Sequence, residues 1–226
     1  TEHLISILNT ILDISKIEAN KFELIYKSFN LHNLLTSIKN LFFLPLKEKG
    51  ITFNFIITDN TPQFVIGDEI RIRQIFINLL NNASKFTKTG GSITLKVDYS
   101  KLTKMLVFFV KDTGIGIDAN NLDKIFKPFM QEDSNFNRQY QGTGLGLTIT
   151  QKIIELMRGN IRVESEKNKG TTFFASIYLE PDIEANIEFE QNQKQQQLFE
   201  TNDYKKYKIG IIDNQKNDCS MTYNFL

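Results

Sequence analysis

Apolar residues between positions 4 and 22 recur at helical spacing and form two adjacent seams, Leu4/Ile7/Ile11/Ile14 and Ile5/Leu8/Leu12. One stripe docks a helix on a single surface; two suit a helix wedged among several, as in a four-helix bundle. Residues 22–29 alternate like a short strand, and 31–48 read as a helix that ends at Gly50, with Pro45 disturbing its last turns. Residues 51–57 and 63–66 read as strands. Asp68 is then a suitable N-cap for a helix whose apolar positions Ile72, Ile75, Phe76, Leu79, Leu80 and Ala83 keep the helical period. Strands follow at 92–99 and 105–111, then a short helix near 120–126 and a polar, aperiodic stretch over 131–141. A helix opening near Gly146 runs to Arg158 and is closed by Gly159, and strands at 160–165 and 171–179 complete a sheet. Residues 181–203 turn to Glu, Gln and Asn, the composition of a semi-ordered linker at best. Residues 207–212 read as one further buried strand ending at Asp213-Asn214.

Composition narrows the class without naming a chemistry. The chain has 226 residues, 41% hydrophobic and 23% charged, with a net charge of +1, so no global field marks a nucleic-acid or membrane-surface binder. One cysteine, Cys219, excludes an internal disulfide framework and a multi-cysteine zinc site, and suits a reducing, intracellular setting. No apolar run is long enough to span a bilayer. The first residue is Thr1, in the middle of an amphipathic pattern, which points to a piece of a longer parent, with membrane anchoring of that parent left open.

Candidate chemistry sits in three places. Gly142-Thr143-Gly144-Leu145-Gly146-Leu147 sets three glycines at alternate positions before a helix, a loop able to turn backbone N–H groups toward a phosphate. By itself the triplet equally suits a plain turn. Asn78, Asn82 and Lys85, spaced by four and three, share one helix face; amide oxygens can ligate Mg²⁺ and the ammonium can meet phosphate oxygens, although a solvated polar face would look the same. Asp112 ends a strand and is followed by Gly114 and Gly116, so a carboxylate there can accept from an exocyclic amine while the glycines let a flat ring approach; a tight turn is the alternative.

In chain order these segments resemble a known series. Gly67-Asp68, Arg73-Gln74-Ile75, Asn78-Leu79-Leu80-Asn81-Asn82-Ala83-Ser84-Lys85-Phe86-Thr87, Asp112-x-Gly114-x-Gly116, Phe126-x-Pro128-Phe129, the glycine loop and Gly170-Thr171-Thr172-Phe173 resemble the motifs of histidine kinase ATP-binding domains. The resemblance covers about residues 24–180. It implies a two-layer α/β sandwich of a mixed sheet and helices, the Bergerat-type fold, preceded by a long bundle helix. It implies these domains: 1–22, the second helix of a dimerisation domain, through Ile11-Leu12-Asp13-Ile14-Ser15-Lys16-Ile17-Glu18-Ala19; 23–180, the catalytic domain; 181–203, a linker; and 204–226, the start of a receiver domain, through Lys208-Ile209-Gly210-Ile211-Ile212-Asp213-Asn214-Gln215.

For the site, the resemblance assigns Mg²⁺ to Asn82, the same polar cluster to Asn78, and phosphates to Lys85 and Arg138. Asp112 goes to adenine, with Gly114, Gly116 and Ile117 lining its access; Gly142, Thr143, Gly144, Leu145, Gly146 and Leu147 form the phosphate loop, and Thr172 lies near the adenine. ATP and Mg²⁺ are therefore the expected ligands. Gln141 and Lys127 depart from the family pattern, both in the lid.

Clamp-type ATPases of the same fold resemble one another in a glutamate four residues before the Mg²⁺ asparagine; here Asn78 stands there, and an amide cannot take a proton from water. Phosphoryl transfer to a positioned histidine is the better match, with a non-catalytic interaction module as the third reading. The family's acceptor histidine lies on the first dimerisation helix. His3 and His32, the two histidines here, match no such position, so the acceptor is expected from another segment or protomer, with a receiver aspartate downstream and a homodimeric parent.

Overall fold

The computed structural model describes residues 12–13, 15–16, 19, 21–128 and 144–201, with side chains described to residue 194. The predictions at Phe129, Arg138, Gln141, Gly142, Thr143, Cys219, His3, most of the first helix and the receiver-like residues 204–226 lie outside them.

The period-two alternation of β4 (Ser92–Ser100), β5 (Met105–Asp112) and β7 (Gly170–Tyr178) creates one apolar sheet face. These strands lie in a five-stranded sheet ordered β2-β4-β5-β7-β6, with β2 (Thr52–Ile57) and β6 (Asn160–Glu166) at its edges. The β2–β4 pair is parallel and the other pairs are antiparallel, so the sheet is mixed. A second sheet of three short strands joins β1 (Lys27–Asn30), β3 (Phe64–Gly67) and β8 (Glu180–Pro181).

Helices α1 (Leu31–Glu48), α2 (Glu69–Phe86) and α3 (Gly146–Leu156) cover the apolar face of the larger sheet. Ile72, Ile75, Phe76, Leu79, Leu80 and Ala83 are the buried stripe of α2, as its periodicity predicts, and meet Leu95, Phe108, Val110 and Ile177 in one core. Phe76 and Phe108 pack with ring centroids 4.5 Å apart. Helix on one face and solvent on the other make the two-layer α/β sandwich expected.

Four details differ from the sequence reading. Residues 22–26 form no ladder; their alternation comes from Phe22 and Leu24 packing on the core from an extended segment. The short helix near 120–126 is a single 3₁₀ turn, Ala119–Asn121, capped by Asp118. Arg158, not Gly159, takes the left-handed conformation after α3 (φ 55°), while Gly159 is required because a Cβ there would run into the Ser176 carbonyl. Residues expected to be a semi-ordered linker form α4 (Ile183–Thr201), since Glu, Gln and Ala are good helix formers even without an apolar stripe. Its start is fixed by Asn186, whose side-chain amide pairs with both the N–H and the C=O of Phe64. The chain divides into two compact units, 1–187 and 188–226.

Candidate functional site

The polar stripe of α2 depends on how that helix begins. Asp68 accepts the Arg71 N–H at 3.1 Å with one oxygen and the Ile25 N–H at 3.0 Å with the other, capping α2 and tying it to the preceding segment. From that start, Asn78, Asn82 and Lys85 face away from the buried stripe and are all half-buried. Asn78 donates through Nδ2 to the Gly146 carbonyl (3.3 Å) and to Thr150 Oγ1 (3.2 Å), pinning the first turns of α3 against the middle of α2. Asn82 makes no side-chain hydrogen bond among the described residues. Lys85 has no acidic partner among them; its Nζ stands 5.0 Å from the Phe86 ring centre, and burial lowers its pKa below the ordinary lysine value.

The second wall is the loop after β5. Asp112 is 5% exposed, and Oδ1 accepts the Gly114 N–H at 2.8 Å. Burial raises its pKa, against the opposing pull of the Gly114 and Thr171 amides. A Cβ on Gly114 would press on the Phe86 carbonyl at the end of α2, and that carbonyl accepts from the Ile115 N–H at 3.3 Å. Gly116 has φ +66°, and a Cβ there would run into the Glu166 carbonyl, so both its conformation and its surroundings demand glycine. Ile117 N–H donates to Ser165 Oγ at 2.8 Å, locking this loop to β6.

The third wall is the start of α3. Gly144 has φ +68°, a turn that only glycine takes easily. Leu145 is buried and Leu147 packs against the core, so these two anchor the loop rather than line it. Gly146 opens the helix with nothing nearer to its missing Cβ than the Asn78 amide at 3.8 Å. Phe126, at the other end of the polar stretch, is edge-on to Phe173 (6.4 Å).

The structure thus sets Asn78 of α2 against Gly146 and Thr150 of α3, and the end of α2, at Phe86, against Gly114 and Ile115 of the Asp112 loop, with Asn82 and Lys85 on α2 between these two contacts. It does not set Thr172 opposite Asp112. In the β5–β7 ladder Asp112 is paired with Thr171, while Thr172 pairs with Lys111 on the sheet's open face. Thr171 is buried, bonded to Ser165 Oγ at 2.9 Å, and shares the face of Asp112. Strand alternation carries the signal for it: Phe173 points into the core, so Thr171, two residues earlier, must point the same way. Ser165, which bridges Ile117, Gly170 and Thr171, is a second residue that motif spacing did not single out. His32 donates from Nε2 to the Thr61 carbonyl (3.0 Å) and is structural.

Amide oxygen, ammonium and backbone N–H groups form a donor set for oxyanions and a hard cation, and Asn82, its amide unengaged by described neighbours, fits as a Mg²⁺ ligand. Groups of His, Cys, Asp and Glu able to hold a metal are absent among the described residues. So is any helix long and apolar enough to cross a membrane.

Comparison with known proteins agrees with this geometry. Residues 67–181 match the family described as histidine kinase-, DNA gyrase B-, and HSP90-like ATPase. The autoinducer 2 sensor kinase/phosphatase LuxQ of Vibrio vulnificus is 39% identical over 201 residues, 88% of this chain and 24% of that protein. Hybrid signal transduction histidine kinase B of Dictyostelium discoideum is 40% identical over 177 residues, 77% of this chain and 9% of its own. Among solved structures, full-length ShkA in complex with AMPPNP superposes with a TM-score of 0.69 at 30% identity, over 79% of this chain and 36% of that one. The chain therefore spans about a quarter or less of the length of the curated relatives it matches here. With a buried carboxylate at a strand end, a polar stripe on α2 and a glycine turn into α3, in a chain this similar to sensor kinases, the protein belongs to the histidine kinase-, DNA gyrase B-, and HSP90-like ATPase family, as a histidine kinase catalytic domain.

Proposed function

We propose that this chain binds ATP with Mg²⁺ and transfers the γ-phosphoryl group to a histidine of a dimerisation helix, as the catalytic part of a hybrid sensor kinase in a phosphorelay. The observation that carries the proposal is the buried Asp112 at the end of β5, in the loop that meets the end of α2 at Phe86. A desolvated carboxylate with one oxygen held by Gly114 is suited to accept the adenine amine with its remaining capacity. Thr171 stands beside it as a second polar contact for the base. Asn82 is the residue that would hold Mg²⁺, which when bound neutralises phosphate charge. Lys85 and the amides at the Gly144–Gly146 turn would hold phosphate oxygens, with Arg138, Gly142 and Thr143 as the lid's contribution. The protein's part is positioning and charge stabilisation: the acceptor nitrogen attacks phosphorus, the bond to the bridging oxygen breaks, and ADP leaves.

Asn78 favours transfer over hydrolysis. Its Nδ2 is engaged with Gly146 and Thr150, and an amide cannot deprotonate water. The role we infer for it is to hold the α3 turn in place.

We further propose that residues 1–22 belong to a dimerisation helix, 23–180 to the catalytic domain and 204–226 to a receiver domain, and that a receiver aspartate takes the phosphoryl group onward. We place this segment on the intracellular side, where the ATP it is proposed to bind is available.

Calorimetric titration with a non-hydrolysable ATP analogue, beside a phosphate-release assay with ATP itself, tests the site. Binding that requires Mg²⁺ and releases no phosphate from ATP alone is expected; steady phosphate release would favour the clamp-ATPase reading, and no binding would leave an interaction module.

A further inference from the structure

The polar face of α2 extends beyond the nucleotide residues. Arg71 and Gln74 precede Asn78, Asn82 and Lys85 at steps of three, four, four and three, so all five lie along one side of the helix. The first two are engaged by a residue far away in sequence. Arg71 grips Asp13 with both guanidinium nitrogens, Nη1 to Oδ2 at 2.6 Å and Nη2 to Oδ1 at 3.1 Å. Gln74 adds a 3.4 Å contact from Nε2 to Oδ2 and accepts from Arg71 Nη1 at 2.8 Å. The guanidinium also lies over the Phe22 ring, 4.5 Å from its centre. Asp13 is 9% exposed and the Arg71 side chain 23%, so this is a sheltered, two-pronged pair rather than a surface contact.

Asp13 belongs to a helical stretch with Leu12, Ser15 and Lys16, which ends where Ala19 N–H returns to Ser15 O and Lys21 N–H to Lys16 O. The chain then runs without regular structure to Ile25, which Asp68 holds one turn before Arg71. The first turn of α2 therefore grips the incoming chain twice, once at the connector and once at the helix before it. Asp13 contributes nothing to the apolar core, so the pair is not needed to assemble the sandwich.

We propose that Asp13, Arg71 and Gln74 form a docking latch that sets the position of the catalytic domain against the helix carrying Asp13. None of the three is among the residues proposed above to hold nucleotide; they are positioning residues. The helix transmits the constraint: at about 1.5 Å per residue, Asn82 lies about 16 Å along a rigid rod from Arg71, so tilting at the latch swings the nucleotide residues by a comparable lever. The role of that far end rests on the function proposed above, whereas the latch itself rests only on the geometry around Asp13. Losing one partner leaves the other charge sheltered and unpaired, which favours release of the helix over a weakened version of the same pose.

The test measures distance and leaves nucleotide chemistry aside. In the whole chain with Cys219→Ser, spin labels at Lys16→Cys and Lys88→Cys, both exposed positions, report the helix against the far end of α2 by pulsed electron resonance. A single narrow distribution is expected for the parent, a broad one for Asp13→Ala and for Arg71→Ala, and a narrow one again for Asp13→Arg combined with Arg71→Asp. Affinity for a non-hydrolysable ATP analogue should stay within about twofold in Asp13→Ala, because the sites are far enough apart to be independent. Should Arg71→Ala fold poorly, Asp13→Ala carries the test alone, since it leaves α2 intact. An unchanged narrow distribution in Asp13→Ala, or a double charge reversal that stays broad, overturns the latch. Failure of every form to bind nucleotide would instead strike the proposed function and leave the latch standing.

Discussion

Asp112→Asn removes a charge and almost no volume, which separates recognition from folding. Burial raises the Asp112 pKa above its ordinary 3.8. The folded chain therefore holds this proton more tightly than the unfolded chain, and the charge opposes folding above the folded-state pKa. That penalty disappears as pH falls below the unfolded value. An asparagine carries no such penalty at neutral pH, and its amide oxygen can keep the Gly114 N–H now accepted at 2.8 Å. The unfolding midpoint should stay where it is or rise.

Binding should behave oppositely. The free oxygen that would accept the adenine amine becomes an NH₂ group, donor against donor. One charge-assisted hydrogen bond of about 1.5–3 kcal/mol is lost, a weakening of about 10- to 150-fold. Calorimetric titration with an adenine nucleotide beside a thermal melt reads both. An inosine nucleotide, with a carbonyl in place of the amine, should bind the parent poorly and the variant no worse than the adenine nucleotide does. Equal adenine-nucleotide affinity in parent and variant would refute this account of Asp112.

Other perturbations separate the remaining walls. Asn82→Ala should abolish the Mg²⁺ dependence of analogue binding, and a titration with unchanged Mg²⁺-dependent affinity would reject the assignment. Gly116→Ala must take a left-handed φ against the Glu166 carbonyl, so it should lose about 2 kcal/mol or more of stability, visible as a midpoint lowered by several degrees in a melt. Lys85 loses its proton at a lower pH than an ordinary lysine, and only the charged form attracts phosphate. Nucleotide affinity should therefore fall as pH rises, beginning below the ordinary value of 10.5, and Lys85→Met should flatten that limb of the affinity–pH profile.

Sequence pattern disclosed the elements whose information is local. The α2 period and its Asp68 cap follow from one helix's repeat and one residue's geometry, and the structure shows both, while Gly116 and Gly144 take a positive φ that glycine readily adopts. What stayed hidden depends on pairing. Thr171 rather than Thr172 faces Asp112 because the β5–β7 register sets it there, and two adjacent threonines look alike until a strand's faces are assigned. Asp13 and Arg71 are 58 positions apart, and nothing local in either segment announces the other. The alternation over residues 22–26 suggested a ladder, yet an extended segment packed on one side leaves the same trace. Residues 183–201 were misleading for a different cause: Glu and Gln that mark a solvated linker also propagate a helix once Asn186 has anchored its start.

The central claim is that the site delivers a phosphoryl group to histidine and not to water. Incubating the chain with γ-labelled ATP, Mg²⁺ and a separately supplied dimerisation segment, then separating the proteins, tests it directly. Label on that segment, lost in acid, stable in base and absent with Asn82→Ala, is the expected result. Continuous release of labelled phosphate with no label on protein would contradict it.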